Sequence, residues 1–156
     1  MNMLAPITLP QDDDFLGAMA TPQQGVVIVV SDNPATIDRL APVCAFLELQ
    51  MTVVSAGTDL TDAMREHAPM AIITDVEGGE QDGFHIMKLV ARHNRNLPIM
   101  LLTDGDAVLM GAADAIQDLW GLTSVTRTSG FPVAGQLVAF LFSAGRRAGC
   151  MRLVPV

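Results

Sequence analysis

From Gly25 onward the chain alternates short apolar runs with stretches of helical period, and that alternation constrains its fold more than any other feature. Val26–Val30 is a continuous β-branched run, the composition of a strand covered on both faces. Pro34 suits the first turn of a helix, and Ile37, Leu40, Val43, Cys44 and Leu47 follow at helical spacing. Pro42 falls inside that stretch and predicts a kink or a delayed start. Residues 51–55 read as a second strand and 58–67 as a second helix, with Thr58 as its N-cap and Pro69 ending the pattern. Residues 71–74 lead into Asp75, and 82–93 form a third helix with Phe84, Met87 and Val90 on one face. A fourth strand over 98–102 ends at Thr103 and precedes a helix over 106–119. A weaker fifth strand over 122–126 precedes a last amphipathic helix over 131–143. Crossovers between parallel strands are right-handed and need helices. Five such units therefore specify an α/β fold, a doubly wound five-stranded parallel sheet with helices on both faces, for which order 2-1-3-4-5 is the usual outcome.

The length of 156 residues suits one domain with a sound core. Residues 1–25 carry Pro6, Pro10, Pro22 and the run Asp12-Asp13-Asp14 without apolar period, and read as a flexible N-terminal extension. The domain proper is expected over 26–145, with 146–156 as a C-terminal tail that carries Arg146, Arg147 and Arg152. Tyr is absent and Trp occurs once, so aliphatic side chains and ten Met must build most of the core. A net charge of −8 argues against nucleic acid as a direct partner, because phosphate neutralisation needs clustered Lys and Arg. No run approaches the 18 apolar residues of a membrane span, and no Lys or Arg precedes Arg39 to make a basic signal region. Cys44 lies on an apolar helical stretch and Cys150 in the tail; they match no metal spacing and suit a reducing cytoplasm.

The segment from Ala71 to Gly83 carries the chemistry. An apolar run ends on Asp75, a polar loop follows, and Asp82-Gly83 opens the next helix. An open α/β sheet presents its reactive groups at the carboxyl ends of its strands, and Asp75 stands at such an end. Structural readings compete with this one: Asp75 as a junction cap, Asp32 as the cap of the first helix before Asn33-Pro34, Thr103 or Asp104 as the cap of the fourth. The loop Ser31-Asp32-Asn33-Pro34 carries neither a Walker nor a dinucleotide signature, and no Gly-x-Ser-x-Gly elbow occurs. His67, His85 and His93 are not spaced as a helical zinc set.

Asp75, with Asp82 and Gly83 seven and eight residues on, resembles the phosphoacceptor segment of a response-regulator receiver domain. The resemblance extends over roughly 26–145 and implies the flavodoxin-like fold of that family. It implies a Mg²⁺ site at Asp32, Asp75 and the backbone carbonyl of Glu77, and a phosphoryl contact from Thr103 at the end of the fourth strand. The chain also departs from the pattern. Ser31 stands where receivers carry the first of two acids, Gly78-Gly79 replaces a Met-Pro pair, and Val125 falls at the aromatic switch position. The fifth-strand lysine is missing; Thr128 aligns with it, Arg127 is the one nearby cation, and Lys88 is the single lysine of the chain. Arg127 is the candidate to cover in part for that lysine, although its planar fork needs a different approach from that of a compact ammonium.

The resemblance implies a single-domain regulator in two-component or phosphorelay signalling, not an enzyme, located in the cytoplasm. Its partners would be a histidine kinase or phosphotransfer protein, a downstream protein target and, through the face from Asp106 to Ser143, a homodimer; Leu109, Met110, Trp120 and Phe142 are the apolar candidates there. Its cofactor would be weakly bound Mg²⁺, because a missing acid leaves fewer oxygen ligands. Ser31, Val125 and the missing lysine favour an alternative, a pseudo-receiver that binds proteins without phosphorylation. A small α/β enzyme using Asp75 as nucleophile is a distant third.

Overall fold

The computed structural model describes residues 24–55, 59–75, 83–103 and 107–150. Five strands alternate with five helices: β1 (Val26–Val30), α1 (Pro34–Phe46), β2 (Gln50–Val54), α2 (Leu60–His67), β3 (Ala71–Asp75), α3 (Gly83–His93), β4 (Ile99–Thr103), α4 (Ala107–Trp120), β5 (Val125–Ser129) and α5 (Ala134–Ala148). The strands form one sheet of order β2-β1-β3-β4-β5, every neighbouring pair parallel. The topological switch point lies between β1 and β3, where Val30 pairs with Thr74.

Alternation along the strands divides the core in two. Ile28, Val30, Ile72, Ile99 and Leu101 face α2, α3 and α4, whose Met64, Ile86, Met87 and Ala113 cover them. Val27, Val29, Ala71, Ile73, Met100 and Leu102 face α1 and α5, met by Leu40, Cys44, Leu137 and Leu141. The central strands are thus covered on both faces, which is why they read as unbroken apolar runs. Truncating a side chain such as Leu101, fully buried here, costs about 2 to 5 kcal/mol in a packed core. Burial also pushes the Cys44 thiol up from its ordinary range.

Several local expectations shift. The helix α1 begins at Pro34 without delay despite Pro42, and its N-cap is Asn33, whose Oδ1 accepts the Ala35 N–H at 3.0 Å. Asp32 is therefore not the cap. Asp59 caps α2, accepting from the Thr61 and Asp62 N–H groups; Thr58 lies outside the described residues. The strand β2 runs over Gln50–Val54, one residue earlier than expected.

The larger correction is β5, expected over 122–126 and found at Val125–Ser129. Gly121 turns with φ +71°, Leu122 drops into the core, and the Thr123 N–H and hydroxyl both go to the Arg95 carbonyl at 3.1 and 3.3 Å. These residues bind the α3–β4 loop, so the ladder with β4 starts only at Val125. The last helix starts later than expected and runs on to Ala148, where Gly149 closes it in the left-handed region at φ 75°. Three residues expected in the tail are thus helical, and Cys150 lies near Gly25 at the start of β1.

Candidate functional site

Because Val30 pairs with Thr74, the next residues of the two chains meet beyond the ladder: Ser31 stands beside Asp75. The buried Ser31 hydroxyl donates to Asp75 Oδ2 at 2.6 Å. Its oxygen accepts the Asn33 N–H at 3.0 Å, and its own N–H donates to the Val54 carbonyl at 3.2 Å. A backbone N–H can only donate, so the Ser31 proton is directed at the carboxylate. At 2.6 Å the O–H···O contact falls in the range of charge-assisted bonds, which are roughly twice as strong as neutral ones. Asp75 itself is half-buried at the end of β3, and Asp32 is exposed just past β1.

Among the described residues no group of three or more His, Cys, Asp or Glu side chains is arranged to hold a metal ion. The two carboxylates at the switch point, Asp32 and Asp75, are nonetheless the donors Mg²⁺ uses, since that ion keeps several waters and needs one or two carboxylates from the protein. The donor chemistry fits the ion. Glu77, whose carbonyl the resemblance adds, lies outside the described residues, as do Asp82 and Asp104.

The β4–β5 side is built differently. Thr103 is buried, and its hydroxyl donates to the Thr128 carbonyl at 2.5 Å. The buried Thr128 hydroxyl lies 2.7 Å from the Gly130 carbonyl and 3.3 Å from that of Leu101. Gly130, at φ +85°, returns its N–H to the Thr103 carbonyl at 2.6 Å. The position that aligns with the family's lysine thus carries a short hydroxyl turned onto backbone.

Arg127 does not take that lysine's place. Its guanidinium pairs with Asp114 at 2.8 Å and donates to Gln117 Oε1 at 3.1 Å, both on α4. Thr128 shares a register row with Leu102 and Asp75, so Arg127, one residue earlier, projects from the other face of the sheet. The expectation that it substitutes for the lysine at Asp75 is corrected by that geometry. Lys88 lies with its ammonium 5.8 Å over the Trp120 ring, at the opposite end of the sheet. Arg39, on α1, stacks 3.9 Å from the Phe131 ring centre, just past β5.

Reading the sequence treated Ser31 as a lost acid and missed its contact with Asp75. The signal was present: in order 2-1-3 the residues following paired strand ends are neighbours, so a hydroxyl at 31 must lie beside a carboxylate at 75. The Thr128 hydroxyl bonds carried no such signal, because they depend on the turn at Gly130.

The family model of the response regulator receiver domain matches residues 27–118. Three solved structures share the fold. A response regulator receiver domain from Clostridium thermocellum matches with TM-score 0.64 at 17% identity, over 80% of this chain and 96% of its own. The chemotaxis protein CheY4 of Vibrio cholerae matches with TM-score 0.65 at 15% identity, over 78% of this chain and 98% of its own. The receiver domain of the sensor histidine kinase PA1611 from Pseudomonas aeruginosa, which has magnesium coordinated in its cleft, matches with TM-score 0.60 at 18% identity, over 79% of this chain and 96% of its own. A curated relative, the probable transcriptional regulatory protein TcrX of Mycobacterium tuberculosis, is 27% identical over 86 residues, 55% of this chain. The chain spans about a third, 37%, of that relative's length.

The fold is that of a doubly wound signalling module. The chain belongs to the response regulator receiver domain family, and so to two-component signalling. No helix among the described residues is long and apolar enough to cross a membrane.

Proposed function

We propose that this receiver accepts a phosphoryl group on Asp75 from a histidine kinase or phosphotransfer protein in the cytoplasm, and passes the signal on through protein–protein contact. In that step the P–N bond of a phosphohistidine breaks as a P–O bond to Asp75 forms, and the histidine nitrogen leaves with the electron pair. One observation carries the reading: Asp75 stands half-buried at the carboxyl end of β3, its Oδ2 held at 2.6 Å by Ser31, beside the carboxylate-bearing loop of Asp32. An oriented carboxylate is the nucleophile such transfer needs, and positioning with charge neutralisation supplies nearly all the catalysis. Asp32 and Asp75, with the Glu77 carbonyl, would hold Mg²⁺, which supplies the positive charge for the incoming phosphoryl oxygens. Thr103 would contact the phosphoryl group on giving up its bond to the Thr128 carbonyl. The contact surface would include the α4–α5 side, where Leu119 is 74% and Val133 72% exposed. Trp120 and Phe142 are half-buried there; Leu109 and Met110 fall outside the described side chains.

A second reading, a pseudo-receiver that binds partners without phosphorylation, is favoured by the closed β4–β5 side. There the Thr103 and Thr128 hydroxyls are bonded to backbone, and no lysine is at hand. Intact mass after incubation with Mg²⁺ and acetyl phosphate separates the two. Phosphoryl acceptance predicts an adduct on the wild type that is absent from Asp75→Asn. A wild type without adduct, and without stabilisation by Mg²⁺ and beryllofluoride, supports the pseudo-receiver.

A further inference from the structure

The Ser31 hydroxyl is buried, sits at the switch point, and has both its hydrogen-bonding roles assigned. It takes the Asn33 N–H at 3.0 Å and gives its proton to Asp75 Oδ2 at 2.6 Å. Asn33 in turn caps α1, so the contact ties the carboxylate to the start of a 13-residue helix. A neutral donor does here what a cation does in a site richer in carboxylates: it offsets charge on one oxygen and fixes the direction of the other. An acid in the same place would set like charges side by side, and such a pair is stable only with a cation between or beside its members.

We propose that Ser31 is a positioning residue for Asp75, holding the carboxylate oriented through a neutral hydrogen bond at the place where a second carboxylate would make a tighter site for divalent cations. The proposal rests on Asp75 being the reactive carboxylate of this receiver. Two consequences follow. The metal-free site is ordered by the Ser31–Asp75 bond rather than by an ion. A second carboxylate at position 31 turns the same pocket into a cation trap, because Mg²⁺ gains a charged oxygen ligand and relieves repulsion that its absence leaves unopposed.

The experiment is a MgCl₂ titration of the full chain, wild type beside Ser31→Asp and Ser31→Ala, followed by calorimetry and by the backbone amide signals of residues 31 to 33 and of Asp75. Ser31→Asp is expected to bind Mg²⁺ about ten- to a hundredfold more tightly than wild type, the scale on which groups around a metal tune affinity. Ser31→Ala is expected to move the Asn33 amide signal, which loses its acceptor, and the Asp75 amide signal, whose side chain loses its donor, with Mg²⁺ affinity staying near that of wild type. Equal Mg²⁺ affinity in wild type and Ser31→Asp overturns the proposal, as does an Asp75 amide unmoved in Ser31→Ala. Should Ser31→Asp fold poorly without metal, the Ser31→Ala amide signals still decide whether the bond exists.

Acetyl phosphate labelling of the same proteins separates this inference from the reading beneath it. Tight Mg²⁺ binding by Ser31→Asp, with no adduct on either protein, leaves the Ser31 assignment standing and removes phosphoryl acceptance. An adduct on the wild type with matched Mg²⁺ affinities does the reverse.

Discussion

At the β1–β3 junction the polar side chains are directed at one another: Ser31 at Asp75, with the exposed Asp32 alongside. Two strands away, at the end of β4 and β5, the corresponding hydroxyls turn onto backbone, Thr103 to the Thr128 carbonyl and Thr128 to that of Gly130. The first arrangement leaves a carboxylate oriented and accessible. The second uses up its polar groups in closing the edge of the sheet. Under the proposed function, receiving a phosphoryl group and responding to it would draw on different residues, the former at the Ser31–Asp75 contact and the latter at the Thr103–Thr128 side. A phosphorylated protein of this kind would alter its surface mainly around Asp75, and would propagate less to β5 than a receiver with a free hydroxyl and a mobile lysine.

Placing a lysine in the fastened half should have the largest effect. Thr128→Lys puts an ammonium where the wild-type side chain is buried and removes a hydroxyl bonded to backbone. The resting protein should lose about 3 kcal/mol in urea unfolding, the cost of an unpaired buried charge. Mg²⁺ with beryllofluoride should restore part of that loss by giving the ammonium an anion. A smaller loss, of about 1 to 3 kcal/mol, is expected for Thr103→Val, an isosteric change that leaves the Thr128 carbonyl without its 2.5 Å donor. Its Asp75 adduct should persist, since the hydroxyl is not the nucleophile; loss of the adduct would show the two halves to be one unit.

The turn that fastens the second half offers a gentler probe. Gly130→Ala meets no atom within 4 Å, so its effect comes from the backbone at φ +85° alone. About 1 to 2 kcal/mol is the ordinary cost of that conformation for an alanine, to be read from the same unfolding curves. Arg127→Gln should do least. Its partner Asp114 is 62% exposed, and such a pair contributes about 0 to 1 kcal/mol that salt screens further. Adduct formation on Asp75 should be unchanged, because Arg127 lies on the opposite face of the sheet from Asp75. A large fall in labelling would return Arg127 to the site.

Much of this was legible in the residues. Strands buried on both faces announce themselves as apolar runs, and the order 2-1-3-4-5, the usual outcome for five strand-helix units, is the one found. Asp75 stood out because its neighbours changed abruptly from Ile72-Ile73-Thr74 to a polar loop. Edges were harder. The strand β5 is an edge strand with mixed composition, Val-Thr-Arg-Thr-Ser, and its start was set by Thr123 binding Arg95, a contact 28 residues away in the chain. The role of Arg127 was misread for a related reason. Its value as a cation depended on which face of the sheet it left from, and a register displaced by three residues hid that parity. Asn33 rather than Asp32 as helix cap turned on a choice between adjacent side chains that both suit the position.

The most direct measurement of the difference between the two halves is a pair of backbone amide spectra, without and with Mg²⁺ and beryllofluoride. The account predicts large changes at Ser31, Asp32, Asn33 and Asp75 and small ones from Val125 to Gly130. Changes of equal size along β5 would contradict it by showing that the Thr103–Thr128 side moves with the acceptor; no change at either place would contradict it by showing that Asp75 accepts nothing.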